Sequence, residues 1–180
     1  MPFAALFEYV MSVRILVTDG TFDKEYDEIT GKLYFKDTHM TEILELGRSK
    51  LEVKIRTLIL IDSLDMTIED RKIILDNCIK VTGNQIVIAH GTDTMTKTAE
   101  ILAKEDIKKT IVFAGAMITD AFGSSDGLFN FGVALTAAQI LPHGIYIAMN
   151  GRFFHWDKVK KIATRAYLKK HLTSHYIYKE

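Results

Sequence analysis

The sequence predicts one three-layer α/β domain with a doubly wound, mostly parallel sheet of the Rossmann-like or flavodoxin-like kind. Its 180 residues suit a single domain with a substantial core. Short, apolar, β-branched segments alternate with longer amphipathic segments along the chain. Because the short segments are apolar throughout, each needs cover on both faces, and right-handed βαβ crossovers place helices there.

The apolar segments are predicted to be the strands of this sheet. VRILV at 13–17 and QIVIA at 85–89 are rich in valine and isoleucine, as is typical of strands buried on both faces. A polar, acidic loop that includes an excursion is expected over 19–37. The predicted strands span 13–17, 53–61, 85–89, 110–114 and 145–149.

The amphipathic segments are predicted to be helices. Thr67 and Asp70 have the spacing of a capping box at the start of one of them. The predicted helices span 38–46, 67–81, 93–104, 126–141 and 157–170. Positions expected to face inward are Ile74, Leu75, Cys78 and Ile79, then Met95, Thr98, Ala99 and Leu102, and finally Val159, Ile162, Ala163 and Ala166.

Residues 13–172 are predicted to form the domain, with an N-terminal extension over 1–12 and a C-terminal tail over 173–180. Lysine plus arginine equals aspartate plus glutamate at 23 each, so no overall charge attracts nucleic acid or a membrane surface. The single cysteine, Cys78, excludes an internal disulfide and favours a cytoplasmic location.

Several classes of function are excluded by missing patterns. No apolar stretch is long enough to span a membrane. The six histidines are scattered without metal-ligand spacing, so no metal is predicted. No phosphate-binding glycine motif is present, so no nucleotide cofactor is expected. GSSDG at 123–127 matches an esterase nucleophile elbow, but the elbow requires a strand immediately before it, and none is predicted there.

Hydroxyl, glycine and carboxylate residues follow two of the predicted strands. TDGT occupies 18–21 and HGTDT occupies 90–94. In doubly wound sheets, ligands bind beyond the carboxyl ends of the strands near a switch point, and glycines let the backbone approach a ligand closely. Thr92 and Asp93 also suit the start of a helix, so capping is the alternative interpretation.

These segments resemble signatures of the asparaginase/glutaminase family. ILVTDGTFD is similar to the first signature of that family, and HGTDTM is similar to the second. SLDM at 63–66 resembles the substrate-binding segment, and the segments at 115–117 and 125–130 follow in family order. The resemblance covers residues 13–165 and is closest to a short, single-domain branch with the bacterial-type N-terminal domain.

The resemblance implies hydrolysis of a side-chain amide by a threonine nucleophile without a cofactor. Thr21 resembles the nucleophile, and Thr92 resembles the second catalytic threonine. Asp93 resembles the carboxylate that binds the α-ammonium group of the substrate, and Ser63 resembles the residue that holds its α-carboxylate. A carboxylate and a hydroxyl are the partners that a zwitterionic amino acid requires.

Further residues complete this predicted site. Backbone N–H groups beside Gly20 and Gly91 are candidate donors to the oxyanion that develops during amide attack. Asp65 is a further candidate for substrate binding. Tyr26 is the candidate loop tyrosine that assists the nucleophile, and Lys161 is the candidate lysine that polarises Thr92, since a buried lysine can act as a base.

Some positions depart from the family pattern and keep a second hypothesis open. Asp19 stands where the family has glycine, Leu64 stands where it has glutamine, and no lysine occurs over 136–140. Tyr34 is an alternative to Tyr26. These departures are consistent with a catalytically silent amino-acid-binding module, or with one component of a partner-dependent amidotransferase.

The leading prediction is an asparaginase-like amidohydrolase that converts L-asparagine to L-aspartate and ammonia. L-Glutamine is expected to be a weaker substrate, because one added methylene changes reach but not chemistry. The resemblance also implies a homo-oligomer, either a dimer or a tetramer. The predicted partners are therefore the small-molecule substrate and further copies of the chain, with no nucleic acid and no membrane.

Overall fold

A six-stranded sheet forms the centre of the computed structural model, which describes residues 12–18, 24–27, 32–35, 39–118, 125–162 and 167–170. The predicted mostly parallel α/β fold is confirmed. The strands are β1 Val13–Val17, β2 Lys24–Asp27, β3 Lys32–Phe35, β4 Val53–Thr57, β5 Gln85–Ala89, β6 Thr110–Ala114, β7 Gly144–Met149, β8 Arg152–His155, β9 Val159–Ile162 and β10 Tyr167–Lys170. The helices are α1 Met40–Leu46, α2 Ile68–Lys80, α3 Met95–Ala103 and α4 Gly127–Ile140.

The strand order of the sheet is β4-β1-β5-β6-β7-β8. The first five strands in this order are parallel, and β8 runs antiparallel to β7 at one edge. The other edge is β4, which exposes Lys54 and Arg56. The chain reverses its direction of travel across the sheet between β1 and β5, so the ligand crevice of this fold is expected at their carboxyl ends.

Two apolar layers cover the two faces of the sheet. On one face, Met40 and Ile43 of α1 and Phe131 of α4 pack in a single buried cluster with residues of β1 and β5. On the other face, Ile74 of α2 and Leu102 of α3 pack against alternate residues of the same strands. These layers account for the continuous apolar pattern of β5 and β6, which are buried on both sides.

Helix α2 begins at the predicted capping box. The Thr67 side chain accepts a hydrogen bond from the Asp70 backbone N–H at 3.2 Å, and the Asp70 carboxylate accepts one from the Thr67 N–H at 2.9 Å. These hydrogen bonds from Thr67 hold the pKa of Asp70 below its usual value. The cap therefore fixes the first turn of the helix that carries Arg71.

The predicted helix over 157–170 is wrong. Its described residues form a short 3-10 turn at Trp156–Lys158 and then the antiparallel pair of β9 and β10. Helical spacing at Val159 and Ile162 also occurs by chance in a short strand, and residues 159–162 contain two apolar β-branched ends. Tertiary pairing decided the outcome, and Val159 is buried in the core as a strand residue.

An Asn150–Gly151 turn joins β7 to β8 and was not predicted. Both residues have positive φ, 55° and 73°, which is the geometry of a two-residue type I′ hairpin turn. The Asn-Gly sequence is the strongest short-range signal for such a turn. The hairpin adds an antiparallel edge strand beyond the predicted parallel ones.

The predicted 19–37 loop contains a two-stranded excursion. Strands β2 and β3 pair antiparallel, with Tyr26 opposite Leu33 and Glu25 opposite Tyr34. Across the described ranges, no helix is long and apolar enough to cross a membrane.

Candidate active site

The ends of three adjacent strands are joined at the predicted switch point. The Thr18 backbone N–H and hydroxyl both donate hydrogen bonds to the carbonyl oxygen of Ala89, at 3.1 and 2.9 Å. The His90 N–H donates to the carbonyl of Ala114 at 2.9 Å. The TDGT and HGTDT segments therefore leave β1 and β5 from neighbouring points at one edge of the sheet.

Gly115 lets the segment after β6 lie directly against the segment after β5. A Cβ atom at this position would lie 2.4 Å from the His90 carbonyl oxygen and 3.0 Å from the Thr92 methyl carbon. Only glycine fits a backbone contact this close. Thr92, which is 6% exposed, thus packs against the Gly115 backbone.

A hydrogen bond joins the two segments predicted to bind substrate. The Thr94 hydroxyl donates to the carbonyl oxygen of Ser63 at 2.7 Å. Ser63 is 1% exposed, although it lies in a loop between β4 and α2. Residues 31 positions apart in the chain are therefore held side by side, and Asp93 immediately precedes the residue that holds them.

The Arg71 side chain of α2 lies beneath this junction. Its Nη2 donates to the Thr94 hydroxyl at 3.1 Å and to the carbonyl oxygens of Ser63 and Met66, each at 3.4 Å. Its Nη1 donates to the Thr98 hydroxyl on α3. One guanidinium group therefore spans α2, α3 and the 63–66 loop.

His90 completes a chain of hydrogen bonds from Arg71. Because the Thr98 oxygen accepts from Arg71, its own hydrogen is directed to His90 Nε2, 2.8 Å away. His90 Nδ1 then carries the ring proton and donates to the Gly91 carbonyl at 2.9 Å. Burial lowers the pKa of His90 to about 4, partly offset by the Gly91 hydrogen bond, with a further lowering from Arg71. The imidazole is neutral at pH 7.

A second cluster of polar side chains organises the start of α4. Asp126 accepts hydrogen bonds from the backbone N–H groups of Met117 and Ile118, at 2.8 and 3.1 Å. Asn130 is fully buried, and its side-chain amide donates to the Asp126 carboxylate at 2.7 Å and to the Gly115 carbonyl at 3.0 Å. These contacts hold the segment after β6 against α4.

The predicted site residues fall into two groups. Ser63, Gly91 and Thr92 are buried at the junction described above, and Asp93 and Asp65 are exposed beside it. Helix α3 begins at Met95, two residues later than predicted, and Thr94 rather than Thr92 is its N-cap, without a side-chain capping bond.

The other candidates cannot be located at the level of their side chains. Gly20 and Thr21 lie outside the described residues, as does Asp19. Tyr26 lies on β2, and Lys161 lies on β9 opposite Leu168 rather than on the predicted helix. The described backbone carries both residues, and their roles remain predictions.

Arg71 was missed by the sequence interpretation, although one signal was available. It precedes Ile74 by three residues and Cys78 by seven, so it occupies an inward position of the α2 stripe, whereas Ile79 is 51% exposed. A charged residue at an inward position of a helix indicates a buried polar network. Thr98 was predicted to face inward but not to bond a charged group.

A separate apolar groove of ≈ 730 Å³ lies between α1 and α4. Ile43, Leu128, Phe129 and Phe153 are among its lining residues, and none of the predicted site residues lines it. Within the described ranges, no three His, Cys, Asp or Glu side chains are arranged to hold a metal ion.

A doubly wound domain with hydroxyl, carboxylate and glycine residues at its switch point belongs to the class that binds small polar ligands at the sheet edge. The family model described as Asparaginase, N-terminal matches residues 12–169. The chain therefore belongs to the asparaginase family, and the predicted family is confirmed.

Similar proteins include amidohydrolases and one component of an amidotransferase. L-Asparaginase 2 of Escherichia coli is 32% identical over 167 residues, which cover 85% of this chain and 47% of that protein. The D-type component of the glutamyl-tRNA(Gln) amidotransferase of Methanococcus maripaludis is 31% identical over 150 residues, covering 78% of this chain and 35% of that protein. The structure of the thermostable L-asparaginase from Thermococcus kodakarensis has a TM-score of 0.78 at 25% identity, covering 89% of this chain and 51% of that one. This chain thus spans between a third and a half of the length of these relatives.

Proposed function

We propose that this chain is an asparaginase-like amidohydrolase that acts on L-asparagine and more weakly on L-glutamine. The observation that carries the proposal is the hydrogen bond from Thr94 to the Ser63 carbonyl. It joins the two segments that family resemblance assigns to the two ends of an amino acid. Membership of the asparaginase family supports the same chemistry.

In the proposed reaction, the Thr21 hydroxyl oxygen attacks the side-chain amide carbon. The proton of Thr21 passes to a base, with Tyr26 or the Thr92–Lys161 pair as the candidates, because a hydroxyl is a weak nucleophile until a neighbour takes its proton. The C–N bond breaks as the leaving nitrogen gains a proton and departs as ammonia. Water then hydrolyses the threonyl ester to release L-aspartate.

The other proposed roles concern binding and charge. Asp93 binds the α-ammonium group, Ser63 binds the α-carboxylate, and Asp65 is a further contact. Backbone N–H groups near Gly20 and Gly91 stabilise the oxyanion. The neutral state of His90, both of whose ring nitrogens are engaged, favours a structural role for it over that of general base.

Ammonia release from L-asparagine tests this proposal. We expect activity in the wild type and a loss of about 100-fold or more in Thr21→Ala and Thr92→Ala. Thr136→Ala is the matched control, because Thr136 is exposed on α4 and donates only within its helix, to the Gly132 carbonyl. Activity that survives in Thr21→Ala would contradict the assigned nucleophile, and an inactive wild type would contradict the amidohydrolase.

The second candidate function is that of one component of a partner-dependent amidotransferase. The similarity to the archaeal amidotransferase component, which covers 78% of this chain, favours it. A chain of this kind would bind L-glutamine but release ammonia only slowly by itself. Calorimetric binding of L-glutamine, measured beside ammonia release, distinguishes the two functions.

A cytoplasmic location and a homo-oligomer, either dimeric or tetrameric, complete the proposal. Cys78 is a free cysteine buried in the core, and burial raises the pKa of its thiol to about 12, which makes it unreactive. Light scattering coupled to size-exclusion chromatography measures the assembly directly.

A further inference from the structure

We propose that Arg71 is a positioning residue that sets the distance between Ser63 and the 92–93 segment, and thereby determines selectivity for a ligand with both an ammonium and a carboxylate group. This inference rests on the proposed function, because it takes Ser63 and Asp93 as the two anchors of the ligand. It assigns to α2 a role in ligand selectivity that the site signatures do not contain.

The location of Arg71 first supports this role. Its side chain is 4% exposed and extends from the inward stripe of α2 toward the start of α3. The guanidinium donates to carbonyl oxygens of the 63–66 loop and to two hydroxyls on α3. Both predicted anchor segments are therefore tied to one rigid, planar group.

The geometry of the fork gives the tie its specificity. Thr94 and Thr98 are one helical turn apart, and the two guanidinium nitrogens bond one hydroxyl each. Because the Thr94 oxygen accepts from Arg71, its hydrogen is committed to the Ser63 carbonyl. A lysine at position 71 has a single ammonium nitrogen and cannot reproduce this two-point attachment.

The charge of Arg71 supports the same role. In the described part of the chain, its hydrogen-bond acceptors are carbonyl and hydroxyl oxygens and the Met66 sulfur, all of them neutral. The charge of neighbouring Asp70 is engaged in the capping box on the exposed side of α2. The guanidinium therefore contributes an uncompensated positive potential behind Ser63, where the ligand carboxylate is proposed to bind.

The fold depends less on Arg71 than the anchor spacing does. The Ser63 carbonyl retains its bond from Thr94, and the Thr98 hydroxyl retains its bond with His90, when the guanidinium is removed. We therefore expect an Arg71 variant to fold but to hold its two anchor segments less firmly relative to each other. Two-point binding is sensitive to such a change, since a displacement of about 1 Å can cost up to about 100-fold.

Calorimetric binding of L-aspartate and of succinate, which lacks the ammonium group, tests the inference. The variants are Arg71→Met, Arg71→Lys and, as a matched control, Lys72→Met, which removes the same charge from an exposed position on the same helix. We expect Arg71→Met to weaken L-aspartate binding by roughly 10-fold and to reduce the preference for L-aspartate over succinate. Arg71→Lys restores charge but not the fork, so it recovers part of the affinity and little of the preference. Lys72→Met leaves both unchanged.

Ammonia release from the same proteins separates the two proposals. For an active wild type, Arg71→Met raises KM for L-asparagine more than it lowers kcat. An inactive wild type that binds L-aspartate, with a preference that falls in Arg71→Met, rejects the amidohydrolase but supports the positioning role. Unchanged affinity and preference in both Arg71 variants, or a wild type that binds neither ligand, overturns the positioning role. If Arg71→Met fails to fold, the preference measured in Arg71→Lys decides.

Discussion

The cluster around Arg71 and the cluster around Asn130 both fasten loops to helices at the carboxyl edge of the sheet, but their hydrogen bonds differ in redundancy. Around Arg71, the Ser63 carbonyl and the Thr98 hydroxyl each have another partner within the cluster. Around Asn130, the side-chain amide is the donor to the Gly115 carbonyl, and its oxygen accepts from the Asn150 N–H at 2.8 Å.

This difference separates stability from positioning. Removal of a buried group that leaves its former partners without a bond costs their full desolvation, whereas redundant bonds soften the loss. The Asn130 cluster therefore acts mainly as a structural tie. The Arg71 cluster has a cation at its centre and partners that are satisfied in other ways, which leaves it available to tune a binding site.

Substitution of Gly115 is expected to have the largest effect, because this residue contacts both clusters. Gly115→Ala would place a methyl group 2.4 Å from the His90 carbonyl oxygen, and backbone must move. We expect a loss of about 3 kcal/mol in the free energy of unfolding, measured by urea denaturation. Gly132→Ala is the control, since no atom within 4 Å meets its added Cβ on α4, and it should be neutral or stabilising. Equal effects of the two substitutions would refute the proposed steric conflict.

Replacement of Asn130 and of Arg71 by apolar residues tests the redundancy directly. Asn130→Leu removes the bonds to Gly115, Asp126 and Asn150 from a fully buried position. We expect it to lower the free energy of unfolding by about 2 to 3 kcal/mol. Arg71→Met should cost less than about 1 kcal/mol, because the burial of a cation is relieved as its bonds are lost. A larger loss in Arg71→Met than in Asn130→Leu would reverse the comparison.

Acidification is expected to weaken the Arg71 side of the molecule. Burial lowers the pKa of His90 from 6.5 to about 4, so the native state keeps His90 neutral while the unfolded chain takes up a proton. The stability that depends on neutral His90 is complete above pH 7 and decreases as the pH falls through 6.5 toward 4. We expect a loss of about 2 kcal/mol between pH 7.5 and 5, measured by urea denaturation.

His90→Asn should reduce this dependence on pH, and His143→Asn, at an exposed position, should retain it. An unchanged slope in His90→Asn would assign the acid sensitivity to other groups.

The smallest effect is expected at the start of α2, outside both clusters. Thr67→Ala removes the capping box at the first turn of the helix that carries Arg71. We expect a loss of about 1 kcal/mol in the free energy of unfolding. Thr67→Ser keeps the hydroxyl and should retain most of the stability. A thermal melt of both variants checks this, and equal destabilisation by serine and alanine would show that the hydroxyl does not act as the cap.

The central sheet could be predicted because its sequence signal is local. The strands at 13–17, 85–89 and 110–114 have the predicted bounds, since strands buried on both faces are continuously apolar. The 157–170 segment was misassigned because Val159 and Ile162 fit both helical and strand spacing. The β7–β8 hairpin was missed although Asn150–Gly151 carries its turn signal.

The site was only partly predictable. HGTDT and Ser63 could be found because their residue types carry the chemistry. The hydrogen bonds from Arg71 to Thr94 and Thr98 could not, because they join residues 23 and 27 positions apart and depend on how α2 packs beside α3. Such a network follows from tertiary packing rather than from any local pattern.

The two edges of the main sheet limit how copies of the chain can associate. The β4 edge carries exposed Lys54 and Arg56, and like charges brought into register across a new strand pair would repel. The opposite edge is the short antiparallel strand β8, and short edge strands offer few backbone groups for recruitment. Growth of one sheet into another is therefore disfavoured at β4 and limited at β8, which protects this domain against edge-to-edge aggregation.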